Sequence, residues 1–174
     1  MQVFFGTGLE KEIEYNEGMD EKRKVILGLG NLLQKDEGFG IQAINMLAEE
    51  LSTAEKESFE LVDGGVLGLN LLPLVDECSH LLVLDAIDAD QPPGTVIELD
   101  GPEIPLYADI KLSEHQIGFQ EVLGLSMLRG HLPEHLHLIG VQPEDISTGL
   151  SLSPAVQAVL DKVIGRVRRV LRSW

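Results

Sequence analysis

Residues 25–40, VILGLGNLLQKDEGFG, join an apolar run to a helical one through a turn rich in glycine. Val25, Ile26 and Leu27 open a stretch of buried-strand type at 25–29. Downstream, residues 38–51 carry Phe39, Ile41, Ala43, Ile44, Leu47 and Ala48 close to one helical stripe. Strand, tight turn and helix in that order predict the start of an α/β sheet. A dinucleotide fold would use Gly-x-Gly-x-x-Gly here, its third glycine allowing helix and strand to pack closely. This chain has Gly28 and Gly30 but Leu33 at the third position, and it has no Gly-Lys-Ser/Thr pattern, so a bound nucleotide is not expected. What the turn delivers instead is a pair of carboxylates, Asp36 and Glu37.

Outward from this stretch, strand-like and helix-like runs alternate. ESFELVD (57–63) predicts a second strand, Gly64 and Gly65 a turn, and LGLNLLPLV (67–75) a short helix begun or interrupted by Pro73. LLVLDAI (81–87) predicts a third strand, PPGTVIEL (92–99) a fourth after a proline-glycine turn, and EHLHLIGVQ (134–142) a fifth, with a helix over 116–129 before the last. Pro154 suits the first turn of a final helix, with Ser153 as its cap. The expected fold is a single α/β domain over 25–174, with a predominantly parallel or mixed central sheet and helices on both faces. Residues 1–24 stand outside the rhythm as an N-terminal extension whose structure the sequence leaves open.

At 174 residues and 44% hydrophobic, the chain is long enough for one well-filled core. Twenty-nine acidic against 13 basic residues give a formal net charge of −16, which repels phosphate backbones and argues against nucleic acid. No apolar run is long enough to cross a bilayer and residues 1–24 lack the order of a secretion signal, so a cytoplasmic protein without membrane insertion is expected. The single Cys78 forms no internal disulfide and is too little for a cysteine-based zinc site, so any metal would be held by His and carboxylates. Lys162, Arg166, Arg168, Arg169 and Arg172 gather in the final helix, which fits either a docking patch or the ordinary preference for cations near a helix C-terminus.

In open α/β sheets, ligands bind beyond the carboxyl ends of the strands, where the turn holding Asp36 and Glu37 is predicted to lie. Asp85, after four apolar residues of the third strand, is expected at the same edge, and His115 in KLSEHQIG just before a helix. A glutamate, an aspartate and a histidine could meet there as a metal set, although each has a plainer role. Asp36 suits a helix cap, Glu37 a first-turn carboxylate, Asp85 a structural position, and His115 is one of five histidines. His131, His135 and His137 suit surface or loop positions, and His80 lies at the opposite end of the sheet. Asp63 reads as a turn residue, and Gln142 with Pro143 as part of a substrate channel. No serine or cysteine nucleophile competes, since Ser126 and Ser151 lack an elbow motif and Cys78 lies away from the strand-end cleft.

Five separated motifs occur in order: GLGNLLQKDEGFG, LVDGG, LLVLDAIDADQPPGT, LSEHQIGFQEVL and LIGVQPEDISTGLSLSPAV. In these the chain resembles the hydrogenase maturation endopeptidases, over residues 24–172. The resemblance implies that Glu37, Asp85 and His115 bind a metal in the active cleft, with Asp36 as a further catalytic candidate. It implies a substrate, the large-subunit precursor of a nickel-iron hydrogenase, cut after the histidine of its last Cys-x-x-Cys-x-x-His motif once nickel is in place. Nickel is then presented by the substrate, although zinc and other divalent ions suit the same ligands. The reacting group stays open between a metal-activated water and a carboxylate base, Asp36 or Asp85, in the manner of aspartic proteases. A non-enzymatic nickel carrier is the alternative in another class, but it would be expected to show His-rich tracts, which are absent from this sequence. A third is a metal-dependent hydrolase acting on some other protein.

Overall fold

The computed structural model describes residues 23–101, 104, 111–112 and 118–174. Strand β1, Arg23–Leu29, is fully buried from Val25 onward, and this is why it reads as one continuous apolar run. A 3-10 turn, Lys35–Gly38, leads into α1, Phe39–Glu50. Then come α2 (Thr53–Ser58), β2 (Glu60–Gly65), a second 3-10 turn (Gly68–Leu71) and α3 (Leu72–Glu77). The second half holds β3 (Cys78–Asp88), β4 (Val96–Asp100), β5 (Lys111–Leu112), α4 (Phe119–Leu128), β6 (His135–Val141), α5 (Pro154–Gln157) and α6 (Leu160–Leu171).

The sheet order is β2-β1-β3-β6-β4, with β1, β2, β3 and β6 parallel, β4 antiparallel to β6, and β5 antiparallel to the end of β3. From β1 the chain goes to β2 on one side and then returns across β1 to β3 on the other. The crevice beyond the carboxyl ends of β1 and β3 is therefore the topological switch point, where such sheets hold ligands.

Alternation along the strands divides the core in two. Ile26, Leu82, Leu84, Ile139 and Val141 pack under α1 and α6 on one face. Val25, Leu27, Leu81, Val83, Leu136 and Leu138 pack with Val75 of α3 and with Phe119, Val122 and Leu123 of α4 on the other. Both faces are covered, as expected. Cys78 is buried at the start of β3, where its thiol donates to the Val75 carbonyl (3.4 Å) and is pushed by burial up to about 12. No helix of the described residues is long and apolar enough to cross a membrane.

Several boundaries differ from the sequence-based expectation. Residues 53–58 are helical, capped by Ser52 in a reciprocal box with Glu55, so β2 begins only at Glu60 and then continues through Gly64 and Gly65. Pairing with β5 carries β3 on to Asp88, which puts Asp85 inside the strand rather than at its end. The final helix is two, broken at Ala158 and Val159, so that both Val156 and Leu160 reach the core. In α6, Arg166 pairs with Glu98 and Arg168 with Glu50. Residues 1–22 of the N-terminal extension lie outside the described residues, and Arg23 and Lys24 belong to β1.

Candidate active site

The turn after β1 is shaped by two glycines. Gly30 has φ of +124°, and a Cβ there would stand 1.7 Å from the Glu37 carbonyl oxygen. Its amide donates to the Gly65 carbonyl (3.1 Å), and the Asn31 amide to that of Glu37 (3.1 Å), so the loop folds back upon itself. A Cβ on Gly40 would lie 2.1 Å from the Leu84 oxygen and 2.4 Å from that of Leu29. The start of α1 thus rests on the backbones of β1 and β3, a close approach that Gly40 supplies although it stands seven residues past the third position of the dinucleotide pattern.

This packing buries Glu37 to 8% exposure at the switch point. Across the crevice, Asp85 is 2% exposed, paired in register with Gly140 of β6 and, by strand alternation, on the same face as Val83 and Ile87. Burial holds the Asp85 carboxyl well above the usual aspartate range, and the charge of Glu37 raises it further, against a smaller opposing pull from the Ala86 amide (2.8 Å). Two buried carboxylates that feel each other favour either a shared proton or a cation between them.

Asp36 has a different environment. It is fully buried, and neither helix start uses it as a cap. One carboxylate oxygen accepts the amides of Glu144 (2.8 Å) and Asp145 (2.9 Å), the other that of Ser153 (2.6 Å). Lys35 pairs with Asp145 and donates its amide to the Gly149 carbonyl (2.9 Å). The loop ahead of Glu37 is thereby stitched to the loop after β6.

Gln142 is also engaged: its amide oxygen accepts from Ala89 (2.8 Å) and Gln91 (3.2 Å) while its nitrogen donates to Asp88 (3.1 Å), so it braces the segment after β3 where a channel wall was expected. Asp63 accepts from the Gly65 amide (3.0 Å) as a turn residue does. His80 stacks on His135 at 4.2 Å, at the amino ends of β3 and β6 and away from the crevice. His137 pairs with Asp100, and His131 is exposed in the loop before β6. His115 lies outside the described residues. Among the described residues no three His, Cys, Asp or Glu side chains are grouped to hold a metal.

Sequence reasoning passed over Ser153 and Gly40 as parts of this architecture. Ser153 acts here through its backbone amide, which carries no side-chain signal, and Gly40 was visible only as a residue of the helical run.

The sequence profile of the hydrogenase maturation proteases (HycI) matches residues 41–170. The chain belongs to that family. Among the maturation proteins, it is 43% identical to the hydrogenase expression/formation protein HupD of Rhizobium leguminosarum bv. viciae over 87% of this chain and 75% of that one. It is 33% identical to the hydrogenase 2 maturation protease of Escherichia coli K12, over 86% and 91%. The fold agrees with that of the hydrogenase maturating endopeptidase HybD from E. coli, at a TM-score of 0.77 and 32% identity over 87% of this chain and 93% of the other. It also agrees with the [NiFe] hydrogenase maturation protease HybD from Thermococcus kodakarensis, at 0.66 and 26% over 86% and 99%. The maturation protease therefore has a mixed, mostly parallel sheet with its carboxylate pair at the switch point.

Proposed function

We propose that this maturation protease removes the C-terminal peptide from the nickel-loaded large-subunit precursor of a nickel-iron hydrogenase in the cytoplasm, cutting after the histidine of the precursor's last Cys-x-x-Cys-x-x-His motif. The observation that carries the reading is the buried pair of Glu37 and Asp85 at the switch point. Left to themselves, the two carboxylates oppose each other's ionisation, and a divalent cation relieves that opposition. The nickel belongs to the substrate. Glu37 and Asp85 engage it together with His115, three residues along the sequence from Leu112 of β5, the strand paired with Ile87 and Asp88 just past Asp85.

Before the precursor arrives, Asp85 holds its proton more tightly than an ordinary aspartate does. Engagement of the cation displaces that proton and fixes the scissile bond in the crevice. Water then adds to the carbonyl, gives a proton to a carboxylate, and the amine leaves with a proton. Asp36 supports this from below by tying the loop after β6 to the turn that carries Glu37. Without a metal the same pair could share one proton and act as an aspartic dyad, and this second reading is favoured by the effect of the Glu37 charge on Asp85.

Purified enzyme incubated with nickel-loaded and nickel-free precursor, with the C-terminal peptide followed by mass spectrometry, separates these readings. Release from the loaded form alone is expected. Equal release from both forms supports the metal-independent dyad, and nickel transfer without release would turn the protein into a carrier.

A further inference from the structure

In a chain of net charge −16, residues 25–34, 64–75 and 146–160 contain no Asp, Glu, Lys or Arg. These stretches include the loops that follow β1 and β2 and, past Glu144 and Asp145, the rest of the loop after β6, three parallel strands whose carboxyl ends share one edge of the sheet. Hydrogen bonds set the loops side by side: Gly30 to the Gly65 carbonyl (3.1 Å) and Gly149 to the Leu33 carbonyl (2.9 Å). Their large apolar side chains face solvent. Leu32 and Leu33 are exposed in the first loop, Val66, Leu67 and Leu69 in the second, and Ile146 and Leu150 in the third, with Leu33 at 62% and Leu150 at 71%. A knot of exposed apolar groups on one edge marks an interaction surface, and the centre of a protein interface is where charge is depleted.

We infer that these three loops form an apolar docking collar for the large-subunit precursor, which meets it with an uncharged, apolar surface around its cleavage point. The inference rests on the placement of the site proposed above, since the collar lies on the same carboxyl edge of the sheet as the crevice of Glu37 and Asp85 and borders the path of any protein substrate cut there. A second copy of this chain seated on the same loops would cover that crevice. The collar is held in shape before binding by the Asp36 carboxylate, the Lys35–Asp145 pair and the bridge between Gln34 and Gly149. Little ordering is then needed on docking.

Leu33→Asp, Leu150→Asp and the double variant test this, with Leu128→Asp on the far end of α4 as control. Calorimetric binding of nickel-free precursor is expected to weaken by about tenfold or more for the double variant, and KM for the loaded precursor to rise in parallel with kcat little changed. Melting temperatures should stay at the wild-type value, and Leu128→Asp should bind as wild type does. Unchanged binding by the double variant overturns the collar, as does a wild-type dimer in sedimentation that the substitutions dissolve. Asp85→Asn, assayed alongside, separates the two ideas: normal cleavage by Asp85→Asn removes the site, whereas normal binding by the double variant removes only the collar.

Discussion

Asp36 and Glu37 are adjacent, both acidic and both buried, yet their carboxylates do different work. Asp36 accepts three backbone amides from a loop 108 to 117 residues away, whereas Glu37 acts on Asp85 across the crevice. Asp36→Ala leaves the amides of Glu144, Asp145 and Ser153 without their acceptor. Each unmet buried donor costs ~1–3 kcal/mol, and water entering the gap recovers part of that, so a loss of about 3 kcal/mol is expected in urea unfolding. Hydrogen exchange at those three amides should accelerate, while exchange in the central strands should not outrun the global loss; a variant as stable as wild type would remove the bracket. The sequence marks both carboxylates through the turn that holds them, but it cannot assign them, because the partners that distinguish Asp36 from Glu37 are distant and are backbone groups. Gln142 is the same case: its amide was legible as a polar group at a strand end, and its three partners were not.

At the scale of elements, the site depends on how low α1 sits. Gly40→Ala would put a methyl 2.1 Å from the Leu84 oxygen in the central strand, and the helix would have to lift off the sheet. A loss of about 3 kcal/mol, seen as a lower melting temperature, is expected. Gly165→Ala, in α6 with open space around its added methyl, should instead stabilise by ~0.5–1 kcal/mol. Equal effects at the two positions would show that the close approach does not matter. The central strands and α1 were legible because their apolar residues recur with a clear period or run unbroken. α2 was missed even though Ser52 and Glu55 stand at capping-box spacing, since ESFELVD reads equally well as a strand when helix starts are not sought first. The direction of β4 was not legible, because strand chemistry does not record which neighbour a strand pairs with or in what sense. β5, two residues long, carries no periodicity at all.

For the whole molecule, the two ends of the sheet differ in kind. The carboxyl edge bears largely apolar loops around buried acids, with the Lys35–Asp145 pair between the loops after β1 and β6. The amino edge bears ion pairs and rings: Arg23 with Glu60 and Glu77, His137 with Asp100, and His80 stacked on His135 and edge-on to Trp174 at 5.0 Å. Burial, and then the charges of His135 and Lys24, holds His80 below its ordinary value of 6.5. The unfolded chain therefore binds a proton at this residue more readily than the folded one, and stability falls as the pH drops below 6.5 toward the lowered value and is level above. Asp85 works in the opposite sense, since its raised carboxyl makes the folded state the better proton binder and favours folding as the pH falls. His80→Gln removes only the first effect. Thermal melts from pH 7.5 to 5 should show the wild type losing more stability than the variant, and parallel curves would exclude His80. Composition alone gave the overall acidity, but the segregation of charge emerges only when the topology brings three neutral stretches to one edge.

The seal around Cys78 has a practical side. It is the chain's sole cysteine, and with its thiol near 12 it offers almost no thiolate to a maleimide at neutral pH. Leu33→Cys or Leu150→Cys would then supply a single reactive handle without removal of the native cysteine. A fluorophore attached there would report a partner's arrival in real time, and a photoactivatable crosslinker would record which peptide of that partner came to rest beside it.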